Sequence, residues 1–244
     1  MKAIPMLANS SPISYQSGTL RKGVHLPASS LSELLDFITD ELPRWRDRPD
    51  RRPATSETTL TSQLCAYLNS AARRSSGWDI LQFRIEEPDE QHRGRRIDLV
   101  PAPCDAIMWI EGRGYTDFDS LMPIECKRLP TPRGKDRDER EYVFSKYTST
   151  GGIQRFKAGD HGASHSLGAM IGYVQEGNAA LWHRQIVDWV NQLAKIGEPG
   201  WSEMDALRVI SSDGALRSVV LSSSHDRANG LSKIELRHLW LEMN

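Results

Sequence analysis

The chain has 244 residues, of which 39% are hydrophobic and 26% charged, and its formal net charge at pH 7 is −1. This composition predicts a soluble, cytoplasmic protein, because no apolar run approaches the length that spans a membrane and the first residues are interrupted too soon to form a signal-peptide core. A near-zero net charge gives no global attraction to nucleic acid, so any such binding must come from local basic clusters. Three cysteines are too few for a disulfide framework or a zinc site.

Residues 1–29 are rich in serine and proline and show no sustained hydrophobic period, which predicts a loosely ordered N-terminal arm. We expect residues 30–244 to form a single domain. Leucine and isoleucine recur at helical spacing up to Pro43, which predicts a first helix that ends there. Ser56 is a typical capping residue and predicts a second helix, with Glu57 in its first turn.

The rest of the chain alternates between strand and helix signals. Strands are predicted at 80–85, 96–100, 106–110, 122–129 and 167–174. Helices are predicted at 137–147, where apolar residues are sparse, after the turn Gly151-Gly152, and at 182–193. A hairpin formed by 218–223 and 234–241 is predicted around Asn229-Gly230.

Asp98 and the triplet Glu125-Cys126-Lys127 stand out because they bring charged residues into apolar strand segments. Side chains alternate between the two faces of a strand, so Glu125 and Lys127 share one face, and Ile124 and Cys126 share the other. A second strand that carries Asp98 would add another carboxylate beside them. Two carboxylates and a lysine suit a site that holds Mg²⁺ and activates a water, although they equally suit an ion pair on an edge strand.

This order of residues resembles the PD-(D/E)xK nuclease superfamily over about residues 55–175. The matching positions are an acidic residue that opens a helix, an Asp on a strand, and Glu-x-Lys on the next strand, here Glu57, Asp98, Glu125 and Lys127. One letter departs from the pattern, because Ile97 and not Pro precedes the Asp. The resemblance implies an α/β fold with a restriction-endonuclease-like core, in which helices flank a central mixed β-sheet, and residues 176–244 add a C-terminal helix and a β-hairpin.

The resemblance also implies a set of site residues. The catalytic residues would be Glu57, Asp98, Glu125 and Lys127, and Mg²⁺, or Mn²⁺ as its substitute, would be held by Asp98, Glu125 and the backbone carbonyl of Cys126. Lys127 would hold or deprotonate the attacking water. Glu57 would reach the metal through a water or bind a second ion, but its position suits a contact with the helix dipole equally well.

Metal-dependent hydrolysis of nucleic-acid phosphodiesters is the function that the resemblance implies, and a DNA endonuclease of restriction or phage-defence type is the preferred form. The nucleic-acid contacts that we expect are Arg93, Arg95, Arg96, Gln154 and Arg155. The chain carries no ATPase or methyltransferase motif, so motor or modification activity would need a partner subunit; a homodimer is the other arrangement considered.

Two alternatives stay open. The first is a nuclease-like fold without metal chemistry, which serves as a binding module or as a subunit of a larger nucleic-acid-processing complex. The second is an unrelated α/β protein in which the same residues form ion pairs. Metal-dependent cleavage separates the nuclease from both.

His161 and His165 have the i, i+4 spacing at which two histidines on one helix can share a metal ion. Gly159, Gly162 and Gly168 argue against a regular helix at this place. No metal site is therefore predicted at these histidines.

Overall fold

The structure is a computed structural model that describes residues 30–89, 94–110, 112–147 and 151–244. The predicted arm at residues 1–29 lies outside the described residues. The helices are α1 (Ser30–Arg46), α2 (Glu57–Arg74), α3 (Gly152–Ala158) and α4 (Ala179–Lys195), with a 3₁₀ turn at Glu203–Asp205. The strands are β1 (Leu81–Pro88), β2 (Arg96–Pro103), β3 (Met108–Ile110), β4 (Arg113–Tyr115), β5 (Ile124–Leu129), β6 (Leu167–Val174), β7 (Arg208–Asp213), β8 (Ser218–His225) and β9 (Ile234–Glu242).

Seven strands form one mixed sheet in the order β1-β2-β5-β6-β9-β8-β7. The central pairs β5–β6 and β6–β9 are parallel, and the outer pairs are antiparallel. β3 and β4 form a separate hairpin. The predicted α/β class with a central mixed sheet is confirmed, while its restriction-endonuclease-like identity stays a prediction. The predicted C-terminal pairing is present between β8 and β9, but β9 also joins the main sheet beside β6.

Helices cover both faces of the sheet, and each face has its own hydrophobic core. On one face α1 and α2 pack against a core that includes Ile124 and Cys126 of β5. On the other face the core includes Leu129 of the same strand together with residues of α3 and α4. The alternation along β5 places Glu125 and Lys127 on one face, as their spacing predicts, and this is the α3 face. None of the described helices is long and apolar enough to cross a membrane.

α1 continues through Pro43, where the sequence predicts its end, to Arg46. The extra turn carries Trp45, which is buried, and its ring centroid lies 5.9 Å from that of Tyr173 on β6. Burial of an indole ring against the sheet offsets the hydrogen bond that a proline removes from a helix.

The predicted helix at residues 137–147 is wrong, because this segment forms turns. The backbone carbonyls of these turns accept hydrogen bonds from the start of α3. Three N–H groups at that start donate to it: Gly152 N to Glu141 O at 2.8 Å, Ile153 N to Tyr142 O at 3.2 Å, and Gln154 N to Val143 O at 2.9 Å. The first N–H groups of a helix have no partner inside their own helix. A helix over 137–147 would use these carbonyls internally and leave the start of α3 without acceptors.

A chain of hydrogen bonds runs through the core on the α3 and α4 face. Its members in order are Trp240, Tyr142, His238, Ser223, His225, Asp205 and Lys157. Burial lowers the pKa of both His225 and His238, so each ring is neutral and has one donor and one acceptor nitrogen. The Asp205 carboxylate accepts from His225, so His225 accepts from Ser223. By the same logic Ser223 accepts from His238, which accepts from Tyr142.

This buried chain predicts an acid-dependent contribution to stability. Because burial holds the folded-state pKa of His238 below the ordinary value of about 6.5, the unfolded chain takes up a proton that the folded protein does not. The stability that depends on neutral His238 is fully present above about pH 6.5 and is lost as the pH falls. We expect His238→Gln to lower the free energy of unfolding, measured by urea titration, by about 1–3 kcal/mol at pH 7.5 and by less at pH 5.5. A difference that grows on acidification would contradict this assignment.

Candidate active site

The side chain of Lys127 lies among three carboxylates. Its Nζ is 2.8 Å from Glu125 Oε1, 3.3 Å from Glu57 Oε1 and 4.0 Å from Asp98 Oδ2. Lys127 is 7% exposed, and Glu125 is completely buried. The structure thus brings together the four residues predicted as catalytic, Glu57, Asp98, Glu125 and Lys127, while their catalytic roles stay a prediction.

Strand geometry and the start of a helix position three of these residues. Glu125 and Lys127 are two residues apart on β5 and therefore share one face. Glu57 is the first residue of α2, directly after the capping residue Ser56. From there Glu57 Oε2 accepts the backbone N–H of Arg128 at 3.0 Å. The start of α2 is thereby joined to β5 next to Lys127.

Asp98 occupies the position of a backbone acceptor between β2 and β5. Its Oδ2 accepts the N–H of Cys126 at 2.8 Å. Leu99 of β2 pairs with Ile124 of β5 in antiparallel register. A side-chain carboxylate therefore replaces a ladder hydrogen bond at this point, and the same oxygen faces Lys127.

Two further side chains enclose Glu125. Arg155 Nη1 donates to Glu125 Oε1 at 2.6 Å, and His161 Nδ1 lies 3.1 Å from Glu125 Oε2. The second contact has the distance of an ion pair without the alignment of a hydrogen bond, since Oε2 and both ring nitrogens have no hydrogen-bond partner among the described residues. Unmatched polar atoms are rare in protein interiors, so this oxygen requires an explanation.

The cluster holds its two strand carboxyls in opposite protonation states. Burial, reinforced by the negative charge of Glu125, raises the pKa of Asp98 to about 8. Burial acts on the pKa of Glu125 in the same direction, but Lys127 and the two groups around its oxygens outweigh it and hold that pKa well below its ordinary range. The carboxylates raise the pKa of Lys127 in spite of its burial. At pH 7 Asp98 is therefore mostly protonated, while Glu125 and Lys127 are charged.

Two carboxylates of the cluster are oxygen donors of the type that a hard cation binds. Mg²⁺ is commonly bound through one or two carboxylates and keeps several waters, and Asp98 and Glu125 offer such a pair. Glu125 Oε2 is the buried oxygen that lacks a hydrogen-bond partner. In the described residues no group of three or more His, Cys, Asp or Glu side chains is arranged to hold a metal ion. Cys126 is buried in the α1 and α2 core, so its predicted contribution is limited to its carbonyl.

The arginines predicted to contact nucleic acid are partly engaged within the protein. Arg95 forms an ion pair with Asp160, and Arg96 Nη1 donates to the carbonyl of Glu86 at 2.8 Å. Arg93 lies outside the described residues. Contact of these arginines with nucleic acid stays a prediction.

Gln154 and Arg155, the other two predicted contacts, lie on α3. Gln154 Oε1 accepts from Ser145 N at 3.0 Å and from Gly151 N at 3.3 Å, so its side chain fastens the turn before α3. Arg155 is directed to Glu125. Their role in nucleic-acid binding stays a prediction. In the structure Gln154 stabilises the turn before α3, and Arg155 forms an ion pair with Glu125.

His161 is the site residue that the sequence did not indicate. α3 ends at Gly159, which adopts the left-handed conformation with φ 76°, and the chain then folds back toward β5. Gly159 and Gly162, two of the glycines that argued against a helical metal site, have positive φ and thus allow the bend that brings His161 to Glu125. No local pattern predicts this contact, because it depends on where the loop after α3 meets the sheet.

Comparison with protein-family models, with curated proteins and with solved structures finds no match to this chain. The assignment of a function therefore rests on the side-chain geometry around Lys127. Two features of the cluster support that assignment: Lys127 has more carboxylates around it than one ion pair needs, and the pKa of Asp98 is raised.

The raised pKa of Asp98 predicts that this residue destabilises the fold at neutral pH. The unfolded chain ionises its Asp98 near pH 4, whereas the folded protein does so near pH 8, so the stability contributed by the protonated group is lost between these values. We expect Asp98→Asn to raise the free energy of unfolding relative to wild type, and to do so more at pH 8 than at pH 5. Urea titration at the two pH values measures this.

The matched control for Asp98→Asn is Asp160→Asn, which removes an ion pair with Arg95 that does not involve Lys127. We expect this control to lower stability by about 1 kcal/mol or less. If Asp98→Asn is instead less stable than wild type and loses more at pH 8, Asp98 is a structural partner of Lys127 and the functional reading of the cluster is wrong.

Proposed function

We propose that this chain is a metal-dependent nuclease that hydrolyses phosphodiester bonds in nucleic acid. The observation that best supports the proposal is the surplus of carboxylates around Lys127, one of which, Asp98, has a pKa of about 8. A structural ion pair needs one carboxylate for one lysine, whereas two further carboxylates, those of Glu57 and Asp98, lie within 4.0 Å of Lys127 Nζ. A divalent cation at this position would favour the ionised form of Asp98 and remove the cost of burying it.

In this proposal Mg²⁺, or Mn²⁺ as a substitute, is held by Asp98, Glu125 and the carbonyl of Cys126. The bound ion supplies a Lewis acid for the phosphate and lowers the pKa of a water. Lys127 stays cationic because its pKa is raised, so it hydrogen-bonds the attacking water and offsets charge on the phosphate and does not remove a proton. Arg155 fixes Glu125 through Oε1 and thereby orients Oε2.

Glu57 acts in this scheme as a positioning residue. Its two oxygens are engaged by Lys127 Nζ and by the backbone N–H of Arg128. It therefore holds the ammonium group in place, and the binding of a second ion by Glu57 would require these contacts to open. Loss of Glu57 is expected to reduce activity less than loss of Asp98.

The substrate that we propose is DNA, in an endonuclease of restriction or phage-defence type. The near-zero net charge favours an arrangement in which a partner subunit or a second copy of the chain supplies part of the phosphate-binding surface. The local contribution of this chain would come from the arginines that precede Asp98 on the same segment.

A binding module without metal chemistry is the second candidate function. One observation favours it: Glu125 is already paired with Lys127 and Arg155, so a cation is not required to neutralise it. Such a module would bind nucleic acid without cleavage or serve as a subunit of a larger nucleic-acid-processing complex. A cleavage assay decides between the two functions.

Asp98→Asn provides the sharpest test of the nuclease, because this variant is expected to fold more stably and yet to lose activity. We expect kcat for cleavage in Mg²⁺ or Mn²⁺ to fall by roughly 100-fold or more, and Lys127→Gln to cause a similar loss. The measurement uses supercoiled plasmid, linear duplex, single-stranded DNA and RNA, each with metal and with EDTA.

The control for Lys127→Gln is Lys233→Gln, at an exposed lysine that pairs with Asp226. It should cleave at the wild-type rate. Wild-type turnover in Asp98→Asn would refute the proposed chemistry. An inactive wild-type protein that binds nucleic acid would instead select the binding module.

A further inference from the structure

A rigid turn between β4 and β5 presents a phenylalanine to solvent. Asp119 Oδ2 accepts from Thr116 N at 2.7 Å and from Thr116 Oγ1 at 2.8 Å, and Arg84 Nη1 donates to the carbonyl of Asp117 at 2.8 Å. The turn is therefore fixed from within and from β1. Phe118 at its tip is 93% exposed. Single exposed apolar residues are common, but a ring held in water by a fixed turn is not explained by packing.

The same part of the molecule carries a second exposed aromatic ring. Asp105 N donates to Asp117 Oδ1 at 2.9 Å, which joins the turn to the residues before β3. On β3, Trp109 is 61% exposed. Arg113 on β4 lies with its guanidinium over a neighbouring tyrosine ring, at 4.6 Å from the ring centroid. The turn and the β3–β4 hairpin thus combine aromatic rings with a partly exposed arginine.

A cleft beside Phe118 contains hydrogen-bonding groups that the described residues do not satisfy. Phe118, Arg84 and Ser120 line it, together with Val100 of β2 and Gly162. Ser120 is 9% exposed, and its Oγ has no hydrogen-bond partner among the described residues. Arg84 Nε likewise has none, and the Glu87 carboxylate oxygen that forms an ion pair with it is 3.7 Å away. Unmet buried donors beside an exposed ring suit a planar ligand with acceptor atoms.

This cleft adjoins the candidate active site. Val100 follows Asp98 by two residues on β2, so the two side chains share one face of the strand. Gly162 directly follows His161, which contacts Glu125. The N–H of Gly162 donates to Asp89 Oδ2 at 3.2 Å. A nucleotide in the cleft would therefore lie on the face of the sheet that carries the Lys127 cluster.

We propose that this cleft binds one unpaired base of the substrate, stacked on Phe118 and hydrogen-bonded by Ser120 and Arg84. The inference rests on the proposed nucleic-acid substrate and makes it more specific: the preferred substrate has an unpaired nucleotide close to the bond that is cut. Stacking requires a base whose face is exposed, and a base inside an intact duplex does not offer one. A base is preferred to a protein partner because the cleft beside the ring is lined by Ser120 and Arg84, whose Oγ and Nε have no hydrogen-bond partner among the described residues.

The test compares the full chain on three ligands in Ca²⁺, which replaces Mg²⁺ to suppress turnover. The ligands are a perfect duplex, the same duplex with one bulged nucleotide, and a single strand, and binding is measured by fluorescence anisotropy. We expect the wild type to prefer the bulged duplex and the single strand. Phe118→Ala should weaken binding of these two by roughly 5- to 100-fold and leave the perfect duplex unchanged, whereas Phe118→Trp should retain the preference.

Two further variants separate the cleft from general surface effects. Ser120→Val removes the hydroxyl group and narrows the cleft, and it should weaken binding of the bulged duplex and the single strand and leave the perfect duplex unchanged. Ile196→Ala is the matched control, since Ile196 is 70% exposed at the end of α4 and far along the chain from the cleft. It should bind all three ligands as the wild type does. A 2-aminopurine at the bulged position should be quenched by the wild type and less by Phe118→Ala.

Equal binding of all three ligands by the wild type, or wild-type behaviour of Phe118→Ala, would overturn the proposal even if cleavage depends on Asp98. Unchanged binding by Ser120→Val would place the base outside the cleft and overturn it as well. A change in oligomeric state of Phe118→Ala, without a change in binding, would assign the ring to a protein contact. Conversely, a base preference that depends on Phe118 in a protein without cleavage activity would support this site and refute the nuclease.

Discussion

The neutralisation of one buried ammonium group, that of Lys127, constrains much of this structure. A charge removed from water is costly unless it is paired, and here Glu125 of β5 and Glu57 at the start of α2 pair with it, while Asp98 of β2 lies 4.0 Å away. The same contacts therefore set three things: the approach of β2 to β5, the place where α2 begins, and the face of the sheet on which charge is concentrated.

The candidate site and the buried hydrogen-bond chain are connected through α3. The first turn of α3 donates to the carbonyls of residues 141–143, and Lys157 near its end is paired with Asp205. Arg155 lies between these two attachments and reaches Glu125. A helix of only seven residues would be marginal by itself, so its position relies on these contacts at both ends. The polar chain in the core thereby contributes to the geometry of the site.

The electrostatics of the cluster differ from those of an ordinary ion pair. Glu125 is surrounded by cationic and polar groups and stays ionised, whereas Asp98 on the adjacent strand has its pKa raised to about 8. Groups with strongly shifted pKa values concentrate at functional sites, where stability is given up for reactivity or binding. The unmatched oxygen of Glu125 and the unmet donors in the neighbouring cleft lie in the same region of the molecule. These observations are the ones on which the proposed ligand-binding role of this face of the sheet rests.

The sequence by itself determined the α/β class, the separation of Glu125 and Lys127 from Ile124 and Cys126, and the start of α2 after Ser56, because side-chain alternation and capping depend on residues close together in the chain. The helix predicted at 137–147 is absent. The N–H groups at the start of α3 need hydrogen-bond acceptors, and the carbonyls of residues 141–143 meet that need only if this segment is not helical. Only the tertiary structure decided that β9 lies beside β6, that His161 reaches Glu125, and that the pKa of Asp98 is raised. Each of these depends on burial and on charges brought from distant segments, for which a sequence pattern carries no signal.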